Sequence, residues 1–166
     1  MPVLLAIPIL AFALMLQTII LSTLPLLNGY ADLVLLVLIA WSLQERVRSA
    51  WIWSILAGLM VGYVSALPLF VPVAGYLLAT GMSRLFLRRV WQSPILAMFL
   101  VTFVGSLLNQ GITMAVLIFN GTPLPLGDSL NLVVLPGTLL NLLLALPVYA
   151  IITDLAQWFY PEEVEV

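Results

Sequence analysis

A few polar side chains of this chain stand where chemistry would be costly to place. Asp32, Gln17, Thr18, Asn109, Gln110 and Asn141 all lie inside long apolar runs. In such a setting an acid or amide can cap a helix, join helices by hydrogen bonds, hold a polar ligand or pass protons. Enzymatic chemistry asks for more. The sequence has no Cys and no His, which removes thiol chemistry, imidazole metal sites and serine–histidine hydrolysis. A proton relay would want several acids in mid-span. Only Asp32 and Asp154 are candidates, and they are assigned to opposite sides of the bilayer. There is no Gly-rich phosphate loop. The expectation is a non-enzymatic protein without metal or cofactor, a compact helical module that binds something.

The elements that must position these residues are membrane helices. The chain has 166 residues, 64% of them hydrophobic and 7% charged, whereas a soluble domain carries about 25% charged residues. So few charges cannot cover a surface facing water. Long unbroken apolar runs indicate helices, because the strands of a membrane barrel alternate apolar and polar residues. The N-terminal run lacks a basic leader and a clear cleavage site, so it reads as a retained first span.

All five basic residues are Arg, in two groups: Arg46 and Arg48, then Arg84, Arg88 and Arg89. Basic loops stay in the cytoplasm. Placing both groups there predicts a single domain of six transmembrane helices over residues 1–160, with both termini cytoplasmic and an acidic tail at 161–166. The spans are expected at about 3–24, 28–44, 50–67, 72–88, 94–119 and 131–157. Pro94 suits a first helical turn. Leu67–Pro72 and Asn120–Ser129 are the expected outer turns, rich in Pro and Gly. Trp41, Trp51, Trp53, Trp91 and Trp158 are expected to form an aromatic belt at the inner interface. Helices 3 and 4, at about 17 residues, are short for a span. They are expected to thin the bilayer locally or to be re-entrant.

Asp32 then falls about one turn inside the outer end of helix 2. It either caps the helix start, where the positive dipole end favours an acid, or serves a partner or an internal polar site. Asn109 and Asn141 each lie roughly ten residues, about 15 Å, from the outer ends of their helices. With Gln17 and Asp32 they are expected to form a sparse polar cluster in the outer half of the membrane. Helix 3 shows Ser54, Gly58, Gly62 and Ala66, and helix 4 shows Gly75, Ala79 and Ser83, all spaced by four. Small faces of this kind let helix backbones approach closely. They pack helices 3 and 4 on each other, or dock a partner's membrane helix. Gly137, Asn141 and Ala145 repeat the spacing in helix 6.

The stretch ADLVLLVLIAWSLQERVRSAWIWSILAGLMVGYVSALPLFVPVAGYLLATGMSRLFLRRVW (31–91) resembles the middle of the MreD family of bacterial rod-shape-determining membrane proteins. Asp32, Gly58 with Leu59, Pro68 and the Arg84–Arg89 cluster fill the family's places. LPGTLLNLLLALPVYAIITDLAQW (135–158) resembles its last helix, with Asn141, Pro147 and Tyr149. One departure is that many members carry an acid where this chain has Gly62, so no role of that acid carries over. The resemblance implies a scaffold in the bacterial cytoplasmic membrane, part of the cell-elongation machinery that supports peptidoglycan synthesis and rod cell shape. Its implied partners are MreC, RodA with its transpeptidase partner, and indirectly the MreB filament. It also implies a fold similar to the substrate-binding S subunits of energy-coupling-factor vitamin transporters, and such a subunit is the alternative function. Against that alternative, the polar cluster has no His, Trp or paired charges to grip a vitamin. Helix 1 also lacks the Ala-xxx-Ala motif with which those subunits dock.

Overall fold

A computed structural model describes residues 4–23, 30–89, 93–123 and 125–160. These residues form six helices and, among the described residues, no strand: α1 Ala6–Thr23, α2 Leu33–Ser42, α3 Ala50–Val64, α4 Phe70–Arg89, α5 Pro94–Phe119 and α6 Leu126–Phe159. Three of them, α4, α5 and α6, are long and apolar enough to cross a membrane, while α1, α2 and α3 are shorter. The protein is an all-helical membrane protein.

The second helix departs most from expectation. Instead of a span at 28–44, α2 has ten residues, all buried, and rises only about 15 Å, half the hydrocarbon thickness. Its start is set by Asp32, whose carboxyl accepts from the Leu35 N–H. Its end is set by Leu43, which closes the last turn by donating to the Ile39 carbonyl. A helix that is apolar on every side belongs inside a bundle. Here α1, α3, α4, α5 and α6 all pack around α2, and Leu33–Trp41 make up much of the core.

Local signals explain the other ends. Pro94 opens α5, where its missing N–H costs nothing. Gly121 closes it in the left-handed region (φ +81°). The Thr122 N–H reaches the Leu117 carbonyl and the Gly121 N–H reaches that of Ile118, the paired bonds that satisfy a helix C-terminus. Two expected turns are shorter than read. Pro72 lies in the first turn of α4, where a helix tolerates Pro, so the connection is Ser65–Leu69. Leu126–Ser129 is already helical, the first turn of α6. A wide π turn follows at Leu130–Val134, with the Leu135 N–H donating to the Leu130 carbonyl. Pro136 comes directly after it. Its ring would crowd a carbonyl four residues back in an ordinary turn, and a widened turn accommodates it.

The aromatic belt needs correction. Trp41 and Trp53 are buried and stacked face to face, with centroids 4.2 Å apart. Trp41 sits on a helix with no lipid-facing side, so its ring packs inward. Trp51 and Trp158 are exposed. Trp91 and the 161–166 tail lie outside the described residues, as do the outermost residues expected for the first two helices.

Candidate functional site

A helix that begins inside a bundle has a problem at its first turn. Its leading N–H groups lack intrahelical partners, and no bulk water replaces them. In α2 two other helices and its own cap residue supply the acceptors. The Asp32 N–H donates to Asn141 Oδ1 of α6 at 2.8 Å. The Val34 N–H reaches Gln17 Oε1 of α1 at 3.4 Å. The Leu35 N–H donates to Asp32 Oδ1 at 2.9 Å.

The Asp32 carboxyl is itself buried and satisfied by donors. Tyr76 of α4 points its hydroxyl between the two oxygens, 3.1 Å from Oδ1 and 3.2 Å from Oδ2. Asn109 Nδ2 of α5 donates to Oδ2 at 3.0 Å. Asn141 turns its amide nitrogen to Ser106 Oγ of α5 at 2.9 Å, so one amide bridges α2, α5 and α6. Gly75 makes room for this: a Cβ there would collide with Asn109. The structure thus brings Asp32, Gln17, Asn109 and Asn141 together. Tyr76 and Ser106 complete the site and were not singled out from the sequence. A phenol in mid-span needs a polar partner, which is the signal that Tyr76 carries. Gln110 Oε1 and Thr138 Oγ1, at the α5–α6 seam, are buried with no partner among the described residues.

The small-residue faces divide differently from expectation. Gly58 lies against the Val73 backbone, Gly62 against Leu69 and Pro72, and Ser54 hydrogen-bonds Thr80. These contacts pack α3 on α4. Gly75 and Ala79 instead face α5, the former at Asn109 and the latter close to Gly105. Ser83 is buried and returns its hydroxyl to the Ala79 carbonyl. Ala66 falls in the exposed turn after α3, beyond the helical spacing that linked it to the others. In α6, a Cβ on Gly137 would come within 3.1 Å of the Tyr30 carbonyl, so that glycine admits the strand of chain leading into Asp32.

The arginines gather at the opposite end of α2. Arg84, Arg88 and Arg89 belong to the last turns of α4, not to a loop. Arg84 is half-buried and donates to the carbonyls of Gln44 and Val47, which close the connection between α2 and α3. Arg46 donates to the Tyr160 carbonyl at 3.2 Å, tying that connection to the end of α6. Arg48 and Arg88 are exposed. Gln44 joins the same end by donating to Thr153 Oγ1 of α6 at 3.0 Å. Asp154 is exposed there, thirteen residues and about 20 Å along α6 from the Asn141 level.

Two cavities accompany these networks. One, of about 590 Å³, opens at the arginine end between the α2–α3 connection, the start of α5 and the end of α6, beside Gln44, Arg46 and Tyr160. The other, of about 360 Å³, is an apolar groove between α1 and α6 over α2. Neither is lined by Asp32, Gln17, Asn109 or Asn141. Among the described residues no three His, Cys, Asp or Glu side chains come together as metal ligands. Compared with known proteins, the chain matches no family model, no curated protein and no solved structure.

Proposed function

We propose that this protein is a non-enzymatic membrane scaffold of the MreD type, a six-helix module of the bacterial cytoplasmic membrane. In this reading it binds MreC and, with RodA and its transpeptidase partner, supports peptidoglycan synthesis and rod shape, indirectly serving the MreB filament. The observation that carries the reading is how the polar groups in the bundle are used. Asp32, Gln17, Tyr76, Asn109 and Asn141 spend their hydrogen bonds on one another and on the start of α2. That is the economy of a rigid frame. A vitamin-binding subunit would instead turn such groups toward a cavity, and the cavities at the arginine end and between α1 and α6 are lined by other residues.

The arginine end is the cytoplasmic end in this proposal, and both termini lie inside. The absence of native Cys allows single Cys substitutions at Arg48 and Ser129 to be labelled from either side of the membrane. Opposite sidedness is expected, with position 129 outside. The function is tested by purifying the tagged protein from its native membrane in mild detergent and identifying its companions by mass spectrometry. A bitopic MreC-like protein or a RodA-type synthase is the expected companion. Paired ATPases with a coupling subunit would replace the proposal with a transport subunit.

A further inference from the structure

We infer that the α3–α4 face is a lipid-contact surface that holds the adjoining bilayer well below its ordinary thickness. The inference stands on the membrane character of the helices and is independent of the scaffold reading. The outward side of α3 carries Trp51, Ile52, Ile55, Leu59 and Tyr63, all exposed. Its fifteen residues rise about 22 Å, against about 30 Å of hydrocarbon. Trp51 and Tyr63, of the aromatic types that settle at the level of the lipid headgroups, are twelve residues and so about 18 Å apart on this helix.

Neither end of α3 can be lengthened by its connections. The inner one exposes Glu45, Arg46 and Arg48, charges that hydrocarbon does not accept without cost. The outer one, Ser65–Leu69, is irregular backbone with Ala66 exposed, and lipid-exposed irregular backbone does not occur in hydrocarbon. Beside it, α4 is longer as a whole (Phe70–Arg89), but from its start to its first charge, Arg84, there are only fourteen steps, about 21 Å. Arg84 is pinned to the carbonyls of Gln44 and Val47, so its charge marks the inner boundary and is not at liberty to reach farther out. Away from α3 the helices are longer. There α5 has 26 residues and α6 has 34, about 39 Å and 51 Å.

Tilt reconciles only one side. Tilting a long helix shortens the thickness it matches, which suits α5 and α6, but it worsens the shortfall of α3. The bilayer itself must therefore move at the α3–α4 face. The bundle becomes a wedge in membrane thickness, thick along α5 and thin along α3.

The test uses the full chain, whose lack of Cys makes single substitutions clean. Nitroxide labels are placed at exposed positions of α3 (Ile52→Cys, Ile55→Cys, Leu59→Cys, Tyr63→Cys) and α5 (Leu96→Cys, Leu100→Cys, Leu108→Cys, Ile118→Cys), with Arg48→Cys and Ala66→Cys as end markers. The protein is reconstituted in dioleoylphosphatidylcholine vesicles, and depth is read from collision with oxygen and with a water-soluble nickel chelate. The expected hydrocarbon interval is about 20 Å along α3 and about 30 Å along α5. Equal intervals of about 30 Å, with positions 48 and 66 reading as buried in lipid, would overturn the inference. So would α3 labels shielded from both collision partners, because that face would then be covered by protein.

Discussion

Gly58→Ala adds one methyl group and should destabilise the bundle, although alanine is the better helix former. The ideal Cβ would stand 2.5 Å from Val73 Cα, 2.7 Å from Val73 Cγ2 and 2.9 Å from Val73 N. Carbon atoms pack best at about 3.5–4.0 Å, so α3 and α4 must part by about 1 Å. Two of the three obstructing atoms are backbone, which no rotamer change can move. Overpacking of this kind costs about 1–3 kcal/mol. Parting the helices also stretches the Ser54–Thr80 hydrogen bond, of a class worth about 0.6 kcal/mol between membrane helices. Against this stands a helix-propensity gain of up to about 1 kcal/mol, reduced where detergent keeps the unfolded helices helical. The net expectation is a loss of about 1–3 kcal/mol. Gly111→Ala is the control. Nothing lies within 4 Å of its added Cβ, so it should leave stability unchanged or raise it by up to about 1 kcal/mol. Both variants can be unfolded in mixed micelles by raising the fraction of dodecyl sulfate, following the fluorescence of the stacked Trp41 and Trp53. If Gly58→Ala proves as stable as Gly111→Ala, close backbone packing of α3 on α4 is not what these glycines provide. Val73→Ala in the same chain should rescue only in part, since it removes Cγ2 and leaves the backbone in place.

The network around α2 yields further expectations. Tyr76→Phe removes the hydroxyl shared by both Asp32 oxygens and should cost about 1–2 kcal/mol in the same unfolding assay. Asp32→Asn should be milder than Asp32→Ala, because asparagine retains an oxygen for the Leu35 N–H and caps nearly as well as aspartate; equal losses would show that capping is not the role of this side chain. Asn141→Leu should cost about 2 kcal/mol by stranding the Asp32 N–H and the Ser106 hydroxyl, with hydrogen exchange accelerating at the first turn of α2. Arg84→Met withdraws the donor from the Gln44 and Val47 carbonyls. Its expected signature is faster exchange and proteolysis confined to residues 44–49, with the outer network unaffected.

The residues that start and stop helices were legible because their partners lie within a few positions in the chain. Pro94 and the Asn120–Gly121 pair bound α5 where the sequence places its ends, and Asp32 caps α2 through an N–H only three residues away. Composition determined that the chain belongs in a membrane, and its unbroken apolar runs that it is helical. The gathering of Asp32, Gln17, Asn109 and Asn141 was also readable, since polar groups in lipid must find one another.

What tertiary structure decided is which apolar surface meets protein and which meets lipid. Leucine is equally at home in either, so periodicity does not separate a spanning helix from the encased α2. The same indifference hid the inward stacking of Trp41 and Trp53. Gly75 has the spacing of a face for α3, yet its partner is Asn109 of α5, because a stripe of small residues states only that something comes close. Tyr76 joins Asp32 across 44 residues of sequence, a pairing set by how α4 rotates once Gly58 and Gly62 have drawn α3 against it. Distances between helices, and the direction in which each one turns its few polar groups, arise only when all six are packed.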